Sequence, residues 1–231
     1  MDKGLGNIVS QADLESEKII LNILKKRFPD YAFYSEEAKF SKNQSDKLWV
    51  IDPLDGTSNF SIGIPHFGIS IALLKSNQIS LGAIYQPTMN LLGYAERGKK
   101  PVFNRPAPTP KEEKPNKQTI SIVAGYASTE LQSQVTAGLS GQVKRILTQW
   151  APSLDYLLLS MGKIDSIISL KSESEDQIAG LLIAQEAGNI IRTVNGKDFE
   201  LKNFSELLPI LIVSRNEKTF EEIRELVKEY L

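Results

Sequence analysis

The chain has 231 residues, 41% of them hydrophobic and 24% charged, a composition typical of a globular protein with one domain or two tightly packed halves. A net charge of −1 gives no electrostatic basis for binding nucleic acid or an acidic membrane. The absence of cysteine excludes disulfides, thiolate metal sites and a cysteine nucleophile, and no apolar run reaches the ~18 residues of a membrane span. We therefore expect a cytoplasmic protein without a nucleic-acid or membrane partner.

The first half of the chain reads as a helix followed by strands. Apolar residues recur at a 3.6-residue spacing over residues 11–28, and Ser10 with Asp13 forms a capping-box pattern at the helix start. Three apolar runs separated by turn residues predict an antiparallel meander. The five prolines of residues 99–118 indicate a solvated connection to the second half. The predicted strands are Tyr31–Tyr34 and, in the meander, Phe67–Leu74, Ile79–Tyr85 and Leu91–Ala95.

The second half alternates strands and helices, which argues for an α/β arrangement. A glycine at position 188 is expected to end the helix before it. We divide the chain into residues 1–118 and residues 119–231, which together form one compact unit. The predicted strands are Ile120–Ala124, Ile164–Leu170 and Ile210–Val213, and the predicted helices are Thr129–Leu139, Ser153–Met161, Asp176–Ala187 and Glu217–Tyr230.

The most informative segment, residues 52–60, reads Asp-Pro-Leu-Asp-Gly-Thr-Ser-Asn-Phe and follows an apolar run. Mg²⁺ prefers oxygen ligands, usually one or two carboxylates together with phosphate oxygens of the substrate. Pro53 restricts the backbone, so Asp52 and Asp55 can be held at a set separation. The glycine that follows permits a tight turn, and a helix starting after it would present N–H groups to a phosphate. The alternative is an Asp-Pro turn, an Asp-Gly turn and an ordinary helix cap.

This segment resembles the first signature of the inositol monophosphatase family, Asp-Pro-x-Asp-Gly-Thr-x-Asn-Phe, and fills every signature position. Residues 176–188 are similar to the second signature, Trp-Asp-x-Ala-Ala-Gly followed by Glu-Ala-Gly, and residues 8–13 and 28–37 resemble two upstream segments. The resemblance implies an α/β fold, the layered αβαβα sandwich shared with fructose-1,6-bisphosphatase. It also implies a Mg²⁺-dependent, commonly lithium-sensitive phosphomonoesterase that acts on a small phosphorylated metabolite, commonly as a homodimer.

The resemblance further implies ligands for two or three Mg²⁺ ions, with Asp52 as the bridging carboxylate. Glu36 matches the family's metal-binding glutamate, although Glu36 and Glu37 taken alone read as a solvated turn. Asp176 matches the aspartate of the second signature, although an aspartate at a helix start is also expected merely to suit the helix dipole. The implied metal ligands are Glu36, Asp52, the Leu54 carbonyl, Asp55 and Asp176.

The family's catalytic machinery maps onto Asp13 and Thr57, which by resemblance would orient the nucleophilic water, with Glu36 sharing the base role. The capping box is an equally good interpretation of Asp13, and both roles can hold together. The N–H groups of Gly56 and Thr57 would hold phosphate oxygens, and Ser153 is the predicted contact on the substrate side.

The chain departs from the family pattern on the substrate side. Residues 150–153 read Trp-Ala-Pro-Ser where family members usually show Gly-Ser-Ala-Ala. Ser169 stands where inositol-phosphate enzymes have a glutamate that contacts sugar hydroxyls, although Glu173 is nearby, and Glu175 replaces the signature tryptophan. We therefore do not expect inositol 1-phosphate to be the preferred substrate.

Two alternatives to this phosphomonoesterase stay open. One is a catalytically weakened family member that acts as a binding or regulatory protein, which the altered second signature favours. The absence of the long helix that family members carry before the segment at residues 8–13 favours it too, whether the chain is truncated or naturally short. The other is a hydrolase of a 3′-nucleotide phosphate or of fructose 1,6-bisphosphate.

Overall fold

Two β-sheets, one in each half of the chain, form the frame of the molecule. The computed structural model describes residues 10–36, 39–40, 45–106, 118–201 and 207–231. Among these residues, the strands before residue 106 form one sheet and the strands after residue 118 form the other. The predicted connection at 99–118 lies mostly outside the described residues, and the division into 1–118 and 119–231 stays a prediction.

The first sheet is built around a long strand that ends at the acidic segment. Its described strands are β1 (Ala32–Ser35), β2 (Lys39–Phe40), β3 (Lys47–Asp55), β4 (Gly68–Lys75), β5 (Gln78–Gln86), β6 (Leu91–Glu96) and β7 (Val102–Phe103). Their order across the sheet is β2-β1-β3-β4-β5-β6-β7. Only β1 and β3 pair in parallel among these strands, and the other neighbours are antiparallel. The predicted meander is confirmed as β4, β5 and β6.

Helix α1, Gln11–Arg27, packs against β3 and covers one face of this sheet. The hydroxyl oxygen of Ser10 accepts a hydrogen bond from the Asp13 N–H, and the Asp13 carboxylate accepts one from the Ser10 N–H. The predicted helix and its capping box are therefore confirmed. The apolar contacts beneath the helix come from a cluster of buried side chains, namely Leu21, Phe33, Trp49, Ile51 and Leu73.

The second sheet is mixed and lies among helices. Its described strands are β8 (Thr119–Ala124), β9 (Arg145–Leu147), β10 (Ser166–Leu170), β11 (Ile190–Thr193) and β12 (Leu211–Ser214), in the order β11-β12-β10-β8-β9. β8 pairs in parallel with β9 and β10, and β12 pairs antiparallel with β10 and β11. The remaining helices are α2 (Thr57–Ser61), α3 (Thr129–Leu139), α4 (Pro152–Ser160), α5 (Ile178–Glu186) and α6 (Glu217–Val227).

The differences from the predicted elements fall at sheet edges and helix ends. β9 and β11 were not predicted, because they are short edge strands whose side chains lack a clear alternation between buried and exposed. Helix α5 begins at Ile178 rather than Asp176, since the N–H groups of Gln177 and Ile178 both bond to the Ser174 carbonyl in a preceding turn. Gly188 follows the helix with a φ of 88°, as predicted for its end.

The layers follow from which helices touch which sheet. Helices α4 and α5 lie between the two sheets, because α5 contacts β4, β5, β6 and β11 while α4 contacts β4, β5 and β10. Helices α3 and α6 cover the opposite face of the second sheet, and their buried side chains share a core with those of β8, β10 and β12. With α1 on the outside of the first sheet, the order is helix, sheet, helices, sheet, helices. The predicted αβαβα sandwich is confirmed.

The central helix layer approaches the first sheet unusually closely. A Cβ atom added at Gly82 of β5 would lie 2.5 Å from the carbonyl oxygen of Ala179, and one added at Gly180 would lie 2.4 Å from Tyr156 on α4. The two glycines therefore allow α5 to sit directly on β5 and against α4. This packing also sets the position of Asp176, which lies just before α5, relative to the first sheet.

Replacing Gly82 with alanine should destabilise the protein, because the new methyl group meets backbone atoms that cannot rotate away. We expect the free energy of unfolding to fall by about 1–3 kcal/mol, the usual cost of overpacking, as measured by urea denaturation. Ala83→Ser on the opposite face of the same strand is the matched control and should change it by less than about 0.5 kcal/mol. Equal stability of Gly82→Ala and wild type would contradict this account of the packing.

Candidate active site

The acidic end of β3 is shaped by local backbone constraints. The pairing of β3 with β4 shifts register between Asp52 and Asp55, so the strand bulges where the two carboxylates lie. The Leu54 N–H donates a 2.9 Å hydrogen bond to Asp52 Oδ1, which orients that carboxylate. Gly56 then adopts a φ of 89°, a left-handed conformation that glycine adopts readily, and helix α2 begins at the next residue.

Three carboxylates converge at this point. Asp52, Asp55 and Asp176 each offer an oxygen atom within 4.8 Å of the others, although Asp176 is far away along the chain. Asp52 and Asp55 are only 1% and 3% exposed, and Asp176 is partly buried. Glu36, which follows β1, lines the same cavity, while its neighbour Glu37 lies outside the described residues. The structure thus clusters three of the four side chains predicted as metal ligands and places Glu36 on the same cavity, and their ligand role stays a prediction.

Burial and mutual repulsion make this cluster unfavourable in its charged form. Burial raises the pKa of Asp52, and the charges of Glu36 and Asp55 raise it further. Burial likewise raises the pKa of Asp176, with further increases from Asp52 and Asp55. The pKa of Asp55 is raised by burial to about 8, although two hydrogen bonds from Ser153 oppose the shift.

The cluster has the chemistry of a site for hard divalent cations. No lysine, arginine or histidine is among the described residues that line the cavity, so no side chain there neutralises the carboxylates. Closely spaced carboxylates with a nearby carbonyl are the oxygen donors that Mg²⁺ prefers. These residues therefore fit the predicted ion, and Glu36, Asp52, Asp55, Asp176 and the Leu54 carbonyl are the groups that would hold it.

The predicted catalytic pair is in contact. Thr57 Oγ1 lies 2.8 Å from Asp13 Oδ1 and 2.9 Å from the Leu54 carbonyl oxygen, and Thr57 lines the cavity. The other oxygen of the Asp13 carboxylate closes the capping box with Ser10. One oxygen of Asp13 therefore caps the helix while the other contacts Thr57, and the water-orienting role of the pair stays a prediction.

Helix α1 is tied to the site by contacts that the sequence analysis did not find. Ser16 donates a 2.8 Å hydrogen bond to the Pro53 carbonyl, and Ser35 at the end of β1 donates to Glu17. Both pairs are distant in sequence and carry no motif, so only the packing of α1 on the first sheet could reveal them. They fix Asp13 relative to the turn that carries Thr57.

Ser153 differs from its predicted role. Its N–H donates a 2.8 Å hydrogen bond to Asp55 Oδ2 and its hydroxyl donates to the same oxygen, while the side chain is fully buried. Ser153 does not belong to the described lining of the cavity. The prediction of a phosphate contact is therefore corrected: both donors of Ser153 orient the Asp55 carboxylate, because α4 starts directly against the end of β3.

The cavity beside the carboxylates has a volume of about 510 Å³. Ser169 does not line it and instead donates a 2.8 Å hydrogen bond to Gln177, whereas Glu173 does line it. Beyond the acidic end, the lining residues come mostly from the second half of the chain. They are Ile122, Val123, Ala124, Gly125, Gln132, Trp150, Pro152, Asp155, Ser172, Glu173, Glu175 and Leu207.

Asp155 is a cavity-lining carboxylate that the sequence analysis did not single out. Its Oδ2 accepts a 2.8 Å hydrogen bond from Ser121, and its Oδ1 has no hydrogen-bond partner among the described residues. Burial raises its pKa to about 7, although the Ser121 hydrogen bond opposes the shift. An aspartate in the first turn of a helix normally lies there because it interacts favourably with the helix dipole, so its burial could not be predicted from the sequence.

Comparison with known proteins identifies the family. The family model described as inositol monophosphatase family matches residues 2–231. The chain belongs to this family. It is 30% identical over 203 residues to the fructose-1,6-bisphosphatase/inositol-1-monophosphatase of Thermotoga maritima, covering 87% of this chain and 78% of that protein. It is also 30% identical over 200 residues to a protein of Pasteurella multocida named Nus factor SuhB, covering 84% of this chain and 74% of the relative.

A solved structure of a family member has the same fold. The structure of the Thermotoga maritima IMPase superposes with a TM-score of 0.84 at 27% sequence identity, covering 100% of this chain and 88% of the other.

Among the described residues, every helix is too short or too polar to span a membrane.

Mg²⁺ should stabilise the protein through the carboxylate cluster. At a concentration of about 100 times the Kd, we expect the Tm to rise by about 5–10 °C, as measured by differential scanning calorimetry. At pH 9, above the pKa of about 8 that burial gives Asp55, Asp55→Asn keeps an acceptor for Ser153 but removes a buried charge, so it should raise the Tm without Mg²⁺ and shrink the Mg²⁺-dependent rise. Glu229→Gln, an exposed carboxylate elsewhere, should match wild type. A full rise in Asp55→Asn would contradict this site.

Asp155 should make stability in EDTA depend on pH. Its pKa rises on folding from an ordinary value of 3.8 to about 7, so the folded chain binds the proton more tightly, and stability falls as pH rises through this range. In Asp155→Asn, the loss of unfolding free energy between pH 5 and pH 8 should be smaller than in wild type by roughly 2–3 kcal/mol. Urea denaturation at the two pH values measures this, with Glu229→Gln as control. An unchanged loss would show that Asp155 does not titrate as described.

Proposed function

We propose that this protein is a cytoplasmic Mg²⁺-dependent phosphomonoesterase that hydrolyses a small phosphorylated metabolite with an activated water. The observation that carries the proposal is the convergence of Asp52, Asp55 and Asp176 at a cavity that is also lined by Thr57, whose hydroxyl is hydrogen-bonded to Asp13. Membership of the inositol monophosphatase family supports the same reaction.

Three side chains of the protein have separate roles in the proposed hydrolysis. When bound, Mg²⁺ would neutralise part of the phosphate charge and lower the pKa of water. Thr57 Oγ1 directs its proton to Asp13 or to the Leu54 carbonyl, which leaves its lone pairs free to accept a hydrogen bond from water in the cavity. Thr57 thereby orients the water for attack on phosphorus, and Asp13 and Glu36 are the carboxylates that assist removal of its proton.

The phosphate is held beside this water by the turn after β3. Thr57 is the first residue of α2, so its N–H has no acceptor within the helix, and Gly56 precedes it. These two N–H groups are the proposed contacts for phosphate oxygens. Helix α2 has only five residues, so we assign its dipole a small part in the attraction.

The charge of the cavity favours a monophosphate. A bisphosphate carries a second phosphate that would need a positive partner away from the metal site, and no described lining residue supplies one. Glu173 and Asp155 would instead repel it. Fructose 1,6-bisphosphate and adenosine 3′,5′-bisphosphate are therefore expected to be poorer substrates than monophosphates. Lithium sensitivity and a homodimer stay predictions from the family.

A regulatory binding role is the second candidate. Relatives named Nus factor SuhB are about as similar to this chain as the named phosphatases. We therefore withdraw the expectation that the protein has no nucleic-acid partner. A folded protein that binds Mg²⁺ but hydrolyses no ester would favour this role.

The direct test is Mg²⁺-dependent phosphate release from inositol 1-phosphate, histidinol phosphate, fructose 1,6-bisphosphate and adenosine 3′,5′-bisphosphate. We expect turnover of at least one monophosphate that is abolished by EDTA, is lost in Asp55→Asn and falls about 10²–10³-fold in Thr57→Val, which loses the water-orienting hydroxyl. Ser61→Ala, an exposed hydroxyl at the far end of α2, is the matched control and should retain full activity. Turnover in Asp55→Asn or in EDTA would refute the mechanism.

A further inference from the structure

Trp150 has a backbone conformation that its side chain disfavours. Its φ is +56°, in the left-handed region that bulky residues rarely occupy. The other described non-glycine residues with positive φ are Ser76, Asn77, Asn90 and Lys171, mostly small polar residues typical of turns. A tryptophan in this conformation destabilises the local backbone, and strained backbone conformations cluster at functional sites.

The conformation is imposed by contacts on both sides of Trp150. The carbonyl of Gln149 accepts a 2.7 Å hydrogen bond from Asn59 Nδ2. On the other side, the N–H of Ser153 donates to Asp55 Oδ2 at 2.8 Å. Both partners belong to residues 52–60, so the segment that carries Trp150 is fastened at two points to the segment that carries the metal-site carboxylates.

Trp150 lines the same cavity as the carboxylates. The side chain is 48% exposed. Tyr34, the other aromatic residue in the described lining, is fully buried and directs its hydroxyl to Glu175. Pro152 and Leu207 add apolar surface to the lining. The described lining therefore includes one partly exposed aromatic residue together with apolar neighbours.

We propose that Trp150 determines substrate specificity by stacking on the leaving-group alcohol, which carries an uncharged or cationic heteroaromatic ring. An indole face attracts flat rings and cations, and the nearby carboxylates of Glu173 and Asp155 disfavour an anionic group. A polyol offers no ring face and gains less from this contact. This inference rests on the proposed function, because it names the alcohol whose phosphate ester is hydrolysed.

The kinetic test compares two phosphate monoesters of secondary alcohols, adenosine 2′-monophosphate and glycerol 2-phosphate. In Trp150→Gly we expect the ratio of their kcat/KM values to fall about 5–150-fold, the range for loss of one stacking contact. Trp150→Phe should restore most of the ratio. Tyr94→Ala, which removes an exposed aromatic outside the cavity, should leave it unchanged. An unchanged ratio in Trp150→Gly, or equal losses for both esters, would overturn the proposal.

Folding of the variant is checked by its Tm. Glycine adopts a positive φ readily, so Trp150→Gly should not lower the Tm. A large fall in Tm would show that Trp150 is a packing residue and would contradict the proposal.

A binding readout is independent of turnover. The chain has two tryptophans, and Trp49 is only 6% exposed, so in Trp49→Phe the emission comes from Trp150 alone. With Mg²⁺ and inorganic phosphate present, adenosine should quench this emission saturably and glycerol should not. Quenching without hydrolysis of any ester would refute the proposed function but support binding of a ring at Trp150. Hydrolysis with neither quenching nor a change in the kcat/KM ratio would refute ring binding at Trp150 but support the proposed function.

Discussion

The hydrogen bonds between Asp55 and Ser153 are the contact on which the candidate site depends, because they join the two halves of the chain at the carboxylate cluster. Asp55 ends a strand of the first sheet, and Ser153 begins a helix of the central layer. The two donors favour the charged carboxylate, whereas burial disfavours it and leaves its pKa raised. The two hydrogen bonds therefore hold the Asp55 side chain in place but do not offset the effect of burial on its pKa.

The packing of the central helices sets the rest of the site. The position of Asp176 follows from the turn before α5. Helix α5 is fixed in turn by the close approach that Gly82 and Gly180 permit. The separation of the three carboxylates is thus a property of the layered core, and loops contribute little to it.

Structural features that depend on residues close together in the sequence could be predicted, whereas features that depend on contacts between distant residues could not. Residues 52–57 form a local turn, and the capping box of Ser10 and Asp13 spans three residues, so both could be read directly. Asp176 was assigned through family resemblance, and the structure places it at the cluster. Ser153 and Asp55 are 98 residues apart, and the left-handed conformation of Trp150 exists only because the folded chain holds both of its flanks. No local pattern encodes either feature.

The raised pKa values link cation binding to proton release. Burial and mutual repulsion raise the pKa values of these carboxyls, so they bind protons more readily than ordinary aspartates unless a cation compensates their charge. Binding of Mg²⁺ then requires those protons to leave, so the apparent affinity for Mg²⁺ rises with pH until the cluster is ionised. The same burial that makes the empty cluster unfavourable strengthens its attraction for a divalent cation, since the surrounding protein screens the charges less than water does. A site of this kind gains its affinity from the instability of its unliganded form.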